Sequence, residues 1–125
     1  MDINKKRVLI VDDENRNRML LDALLTSLDF ETVLANDGVQ AMEILDRDPY
    51  FDLIITEIAL SRQGGFDFTD QLKHSARFRE IPVIATSAFK DWNKAKATKE
   101  LIMDGFVPKP VTKNILKSEI EKVLG

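Results

Sequence analysis

Five short β-rich apolar runs, four of them followed by stretches of helical periodicity and the fifth by a last helix, set the limits on what this chain can fold into. Val8-Leu9-Ile10-Val11 is apolar without a break, the mark of a strand buried on both faces. Leu20, Leu21, Leu24, Leu25 and Leu28 then recur at spacings of three and four, which predicts a helix over residues 14–28. Thr32-Val33-Leu34-Ala35 reads as a second strand. Asp37 with Gln40 three residues on is a capping-box variant that opens a second helix, ended by Asp48-Pro49. Leu53-Ile54-Ile55 is a third buried run. Gly64-Gly65 precedes a short helix at about 66–75. Pro82-Val83-Ile84-Ala85 is a fourth strand, its proline placed where no ladder donor is needed. A lysine-rich helix at about 89–102, a short strand at Gly105-Phe106-Val107 and a final helix from Thr112 complete the chain.

This is a strand–helix unit repeated five times. Parallel strands need helical crossovers, so the pattern predicts an α/β fold: an open parallel sheet with helices on both faces. With 125 residues, one domain is expected. The chain has no cysteine, which excludes a disulfide scaffold, thiol catalysis and a cysteine zinc site. Its apolar runs are too short to span a bilayer, and the amino-terminal one too short for a secretory signal, so a cytoplasmic setting is expected. Residues 1–62 carry 7 basic and 13 acidic side chains, and residues 63–125 carry 11 and 8. That asymmetry suggests surfaces with different partners, but no basic stripe interleaved with aromatics points to nucleic acid.

In open parallel sheets the functional residues lie just beyond the carboxyl ends of the strands. There the sequence places Asp12-Asp13-Glu14 after the first strand and Thr56-Glu57 after the third. Thr86-Ser87 follows the fourth, and Pro108-Lys109-Pro110 the fifth. One acid after a strand is ordinarily a helix cap. Several acids and a lysine, converging from separate strands, must share a cation, pair with the lysine or hold a proton. Oxygen ligands of this kind suit Mg²⁺.

These motifs, in this order and spacing, resemble the receiver domain of bacterial response regulators, the chemotaxis-regulator-like fold. The resemblance rests on Val8 through Glu14, on Asn17-Arg18, and on Ala35-Asn36-Asp37-Gly38 with Ala41. It also rests on Ile81 through Ala88, with Ser87 at the family's hydroxyl switch, and on Lys109-Pro110 at the family's distance beyond it. The resemblance implies a flavodoxin-like three-layer α/β/α domain with strand order 2-1-3-4-5 over residues 1–125, without an output domain in this chain. It implies two-component or phosphorelay signalling. In the family a histidine kinase donates a phosphoryl group to an aspartate ending the third strand, a position held here by Glu57. Mg²⁺ held by Asp12, Asp13, Glu57 and the Ala59 carbonyl neutralises charge in flight. Ser87 and Lys109 grip the phosphoryl oxygens. The catalytic set so implied is Glu57, Ser87 and Lys109. Output passes through Ser87 and Phe106 to the face formed by the lysine-rich helix, the fifth strand and the final helix, where Trp92 and Lys94 make a candidate partner patch.

One residue departs sharply from the family pattern. The family's Asp-Leu-x-x-x-Asp reads Asp52-Leu53-Ile54-Ile55-Thr56-Glu57 here. Glutamate reaches roughly 1.5 Å further than aspartate, and an error near 1 Å can cost on the order of 100-fold in transfer. Two readings of Glu57 follow. It is a partial phosphoryl mimic, with a single charge against about −2, paired with Lys109 or close to Ser87. Or it is an inert, drifted position paired with Lys109. Phosphorylation at Glu57 with Mg²⁺ is a third reading. The retuned site is expected to hold Mg²⁺ weakly or not at all and to need no organic cofactor.

Lesser departures accompany it. Ala59-Leu60-Ser61-Arg62 replaces Met-Met-Pro-Gly, and Phe89 stands where the family tunes water access. Phe106, lacking a tyrosine hydroxyl, is expected to stay buried. His74, the only histidine, is expected at the surface and not in a relay. The sequence thus predicts an atypical receiver, a monomer or weak dimer without independent enzyme activity. It is expected to act on a histidine kinase or another signalling protein, and to bind neither nucleic acid nor membrane. A phosphatase or FMN enzyme of similar fold fits poorly. The phosphatase pattern wants Asp-x-Asp where Asp12-Asp13 stand, and the phosphate loop of an FMN site is missing.

Overall fold

The computed structural model of the chain describes residues 5–58, 65–88 and 103–125. Nine elements run in order: β1 (Arg7–Val11), α1 (Asn15–Ser27), β2 (Glu31–Ala35), α2 (Gly38–Arg47), β3 (Leu53–Glu57), α3 (Gly65–Lys73), β4 (Val83–Ser87), β5 (Gly105–Pro108) and α4 (Lys113–Leu124). The strands form one parallel sheet in the order β2-β1-β3-β4-β5. This is the flavodoxin-like strand order that the resemblance implies. The lysine-rich helix expected at 89–102 lies outside the described residues.

The unbroken apolar runs are explained by their two faces. Side chains alternate along a strand, so Leu9, Val11, Ile54, Val83 and Ala85 join Ala41, Leu45, Phe68 and Leu72 under α2 and α3. Val8, Ile10, Leu53, Ile55, Ile84 and Val107 join Leu21, Leu25, Leu116 and Ile120 under α1 and α4. Each fully buried valine, leucine, isoleucine or phenylalanine among them contributes about 1.5–3 kcal/mol. That is why the sheet, and not the loops, fixes the positions of the strand ends.

Local signals close the elements. Asp37 caps α2 by accepting from the Gln40 N–H at 2.8 Å, while the Gln40 side chain accepts from the Asn36 N–H. Thr112 caps α4 from the Ile115 N–H. α1 ends in a Schellman arrangement: Phe30 N bonds Leu25 O, and Asp29 N bonds Thr26 O. Asp29 takes the left-handed position with φ 71°, which aspartate tolerates better than most residues.

At the amino edge of the sheet, Arg7 ties three segments together. Its guanidinium donates to Glu31 at 2.6 Å and to both Asp48 oxygens at 3.1 and 2.8 Å, and it covers the Phe51 ring at 4.5 Å. No helix among the described residues is long and apolar enough to cross a membrane.

Candidate functional site

The strand order reverses direction between β1 and β3, so their carboxyl ends border the crevice where such folds bind ligands. β1 delivers Asp12 to that edge, and the Asp12 N–H extends the ladder to Ala35 O at 3.1 Å. The Asp12 side chain is fully buried. One oxygen accepts from the Glu14 N–H at 2.8 Å, the other from Lys109 Nζ at 3.3 Å. Arg18, one turn into α1, donates to the Asp12 carbonyl at 2.7 Å and to Asn15 at 2.8 Å, and so fixes the acidic turn. Asp13, the next residue, is exposed.

β3 ends in Glu57, whose surface is 6% exposed. Its carboxylate oxygen Oε2 is bonded directly by Lys109 Nζ. The same oxygen accepts from the Thr86 hydroxyl at 3.3 Å. Lys109 reaches the crevice because its own N–H donates to Ser87 O at 2.8 Å, which continues the β4–β5 pairing beyond Pro108. The peptide that follows, Lys109-Pro110, is cis.

Three charges thus meet in a nearly dry space: two carboxylates and one ammonium that is 19% exposed. Burial pushes the Asp12 carboxyl above the usual aspartate range, and Asp13 adds to that push; the Glu14 N–H and Lys109 oppose it. Burial alone would lower the Lys109 ammonium. Its bond and attraction to Glu57, with those to Asp12, outweigh burial and hold it above an ordinary lysine.

The structure therefore brings Asp12, Glu57 and Lys109 together. Ser87 lies at the same edge and is fully buried, but its hydroxyl donates to the Ala88 carbonyl at 3.2 Å rather than to Glu57. The approach of Glu57 to Ser87, one of the sequence expectations, gives way to an approach to Thr86, the register partner of Glu57 on β4. Phe106 is half-buried rather than enclosed. β5 is an edge strand, and the ring packs on the α2–α3 side of the core. His74 is exposed and, among the described residues, bonds only within its own turn of chain, through Asp70. Ala59, Arg62, Phe89, Trp92 and Lys94 lie outside the described residues.

The oxygen donors suit a hard cation, and the Ala59 carbonyl that the resemblance adds to the set lies outside the described residues. Among the described residues no three acidic or histidine side chains are grouped as metal ligands. The Lys109 ammonium stands between Asp12 and Glu57 and neutralises them internally. The sequence reading names Thr86 and Arg18 but gives neither a contact in the site. Strand alternation and the parallel β3–β4 register are the signals that place Thr86 beside Glu57.

Residues 8–121 match the family described as the response regulator receiver domain. The chain is 32% identical over 122 residues to the chemotaxis protein CheY1 of Helicobacter pylori, covering 95% of this chain and 97% of that one. It is 30% identical over 120 residues to the polar-differentiation response regulator DivK of Brucella ovis, covering 96% and 97%. The crystal structure of a response regulator receiver protein from Pseudomonas putida superposes with a TM-score of 0.83 at 26% identity, over 97% of this chain and 99% of that one. The chain belongs to the response regulator receiver domain family, the signalling modules of two-component systems.

Proposed function

We propose that this receiver works without phosphoryl transfer at the usual position, as an atypical module in which Glu57 is a fixed partial stand-in for a phosphorylated aspartate. The observation that carries this reading is the Glu57–Lys109 bond inside a buried cluster. In the family, the lysine is the group that grips phosphoryl oxygens. Here the longer side chain presents a carboxylate oxygen to it in advance. An ammonium and a hydroxyl that both bond Oε2 draw charge from the carboxylate and make it a weaker nucleophile toward an incoming phosphoryl donor. Mg²⁺ is proposed to bind weakly, because Lys109 already balances the acids it would bridge. Output is proposed to pass by protein–protein contact, with a histidine kinase or another signalling protein, over the side bearing β5 and α4.

The test is incubation with Mg²⁺ and acetyl phosphate followed by intact mass measurement. Wild-type protein is expected to remain unmodified, while Glu57→Asp gains one phosphoryl group. A stable gain on the wild-type chain overturns the proposal and makes Glu57 a working acceptor.

A further inference from the structure

We propose that Thr86, rather than Ser87, is the hydroxyl that reads the side chain at position 57. This makes Thr86 a positioning residue matched to glutamate, and the inference rests on the reading of Glu57 as a fixed stand-in. Glu57 and Thr86 are register partners on adjacent parallel strands, so their side chains leave the sheet on the same face. Thr86 is fully buried. A buried hydroxyl needs a partner, and the Thr86 hydroxyl donates to Glu57 Oε2 at 3.3 Å, the oxygen that Lys109 also holds.

The match depends on chain length. An aspartate at position 57 ends roughly 1.5 Å sooner, which takes its carboxylate out of reach of the Thr86 hydroxyl in this backbone. Ser87, the neighbour to which the resemblance gives the switch, turns its hydroxyl to the Ala88 carbonyl. With glutamate in place, the hydroxyl contact moves one residue back along β4, from the residue at the strand tip to the one paired with β3. Any change in the Glu57 carboxylate is thereby passed directly to β4. Since Ser87 O accepts from the Lys109 N–H, it is passed on to β5 as well.

The test is a set of variants of the full chain: Thr86→Val, Thr86→Ser and Ser87→Ala, each read by urea unfolding and by the ¹⁵Nζ signal of Lys109. A long hydrogen bond of this kind is worth about two- to tenfold in the folding equilibrium constant. Thr86→Val is expected to lose that factor and to move the Lys109 signal. Thr86→Ser restores both, and Ser87→Ala leaves the Lys109 signal in place. In a Glu57→Met background Thr86→Val should cost nothing, because the hydroxyl no longer has its carboxylate. Equal costs of Thr86→Val in the two backgrounds, or a Lys109 signal that follows Ser87→Ala and not Thr86→Val, overturn the inference. Neither result touches the acetyl phosphate outcome. Phosphorylation of the wild-type chain would sink the stand-in reading while leaving the measured Thr86–Glu57 coupling intact.

Discussion

Replacing Lys109 by methionine removes the cation that bonds Asp12 and Glu57 and keeps most of the side chain's bulk. The Lys109–Asp12 separation is 3.3 Å, and at an effective dielectric constant near 20 the attraction at that distance is about 5 kcal/mol. Much of this is spent on desolvating the charges. Removing one member of a buried pair costs about 3–5 kcal/mol because the survivor is left uncompensated. Partial exposure of the lysine and the remaining Glu14 N–H bond to Asp12 reduce the figure, so a loss of about 2–4 kcal/mol at pH 7 is expected. The pH dependence supplies a second signature. Asp12 already lies above the usual aspartate range, and losing Lys109 raises it further. The folded state of Lys109→Met then holds protons that the unfolded chain has released, so its stability should rise as the pH is lowered from 7 toward 5. Urea unfolding followed by far-ultraviolet circular dichroism at several pH values, with the slope compared to wild type, measures both effects. A loss below about 1 kcal/mol with no recovery on acidification would refute the buried ion cluster.

Two further perturbations test the frame that carries the site. Asp37→Ala removes the α2 cap and should cost about 1–2 kcal/mol in thermal or urea unfolding, with Asp37→Asn recovering most of it. Arg7→Met dissolves the clamp to Glu31 and Asp48 and should cost about 1–2 kcal/mol, reduced by added salt. The Arg7 guanidinium bonds Asp48 and holds its carboxyl below the usual aspartate range. That contribution is present above the ordinary value of 3.8 and is lost as pH falls through the depressed one. Wild type should therefore lose more stability than Arg7→Met over the most acidic part of a titration.

The fold was legible because three of its strands are written as apolar runs bounded by polar residues. Val8–Val11, Leu53–Ile55 and Val83–Ala85 each bury both faces, and such runs fit only the interior of a parallel sheet. The edge strand β2 was equally visible, though it begins at Glu31 because Arg7 and the α1 terminus draw that residue into the ladder. Asp12, Glu57 and Lys109 could be placed at one edge from the strand ends alone. Which hydroxyl meets Glu57 could not. Thr86 and Ser87 are adjacent in sequence, and the choice between them depends on the β3–β4 register and on the direction each side chain leaves the strand end. The contacts of Arg18 and Arg7 are hidden in the sequence for a related reason. Arginines at a helix start and a strand start look like solvated charges until the fold brings a carbonyl or two carboxylates beside them.

The titration of Lys109 by its ¹⁵Nζ resonance, in wild type and in Glu57→Gln, measures the central bond most directly. A pKa raised in the folded state means that the contribution of Lys109 to stability is complete below the ordinary lysine value of 10.5. It disappears only as the pH climbs through the folded value. Wild-type Lys109 should stay protonated beyond 10.5, and Glu57→Gln should bring its titration down by removing the larger of its two anionic partners. A wild-type lysine that titrates at or below the ordinary value and ignores the loss of the Glu57 charge would contradict the account.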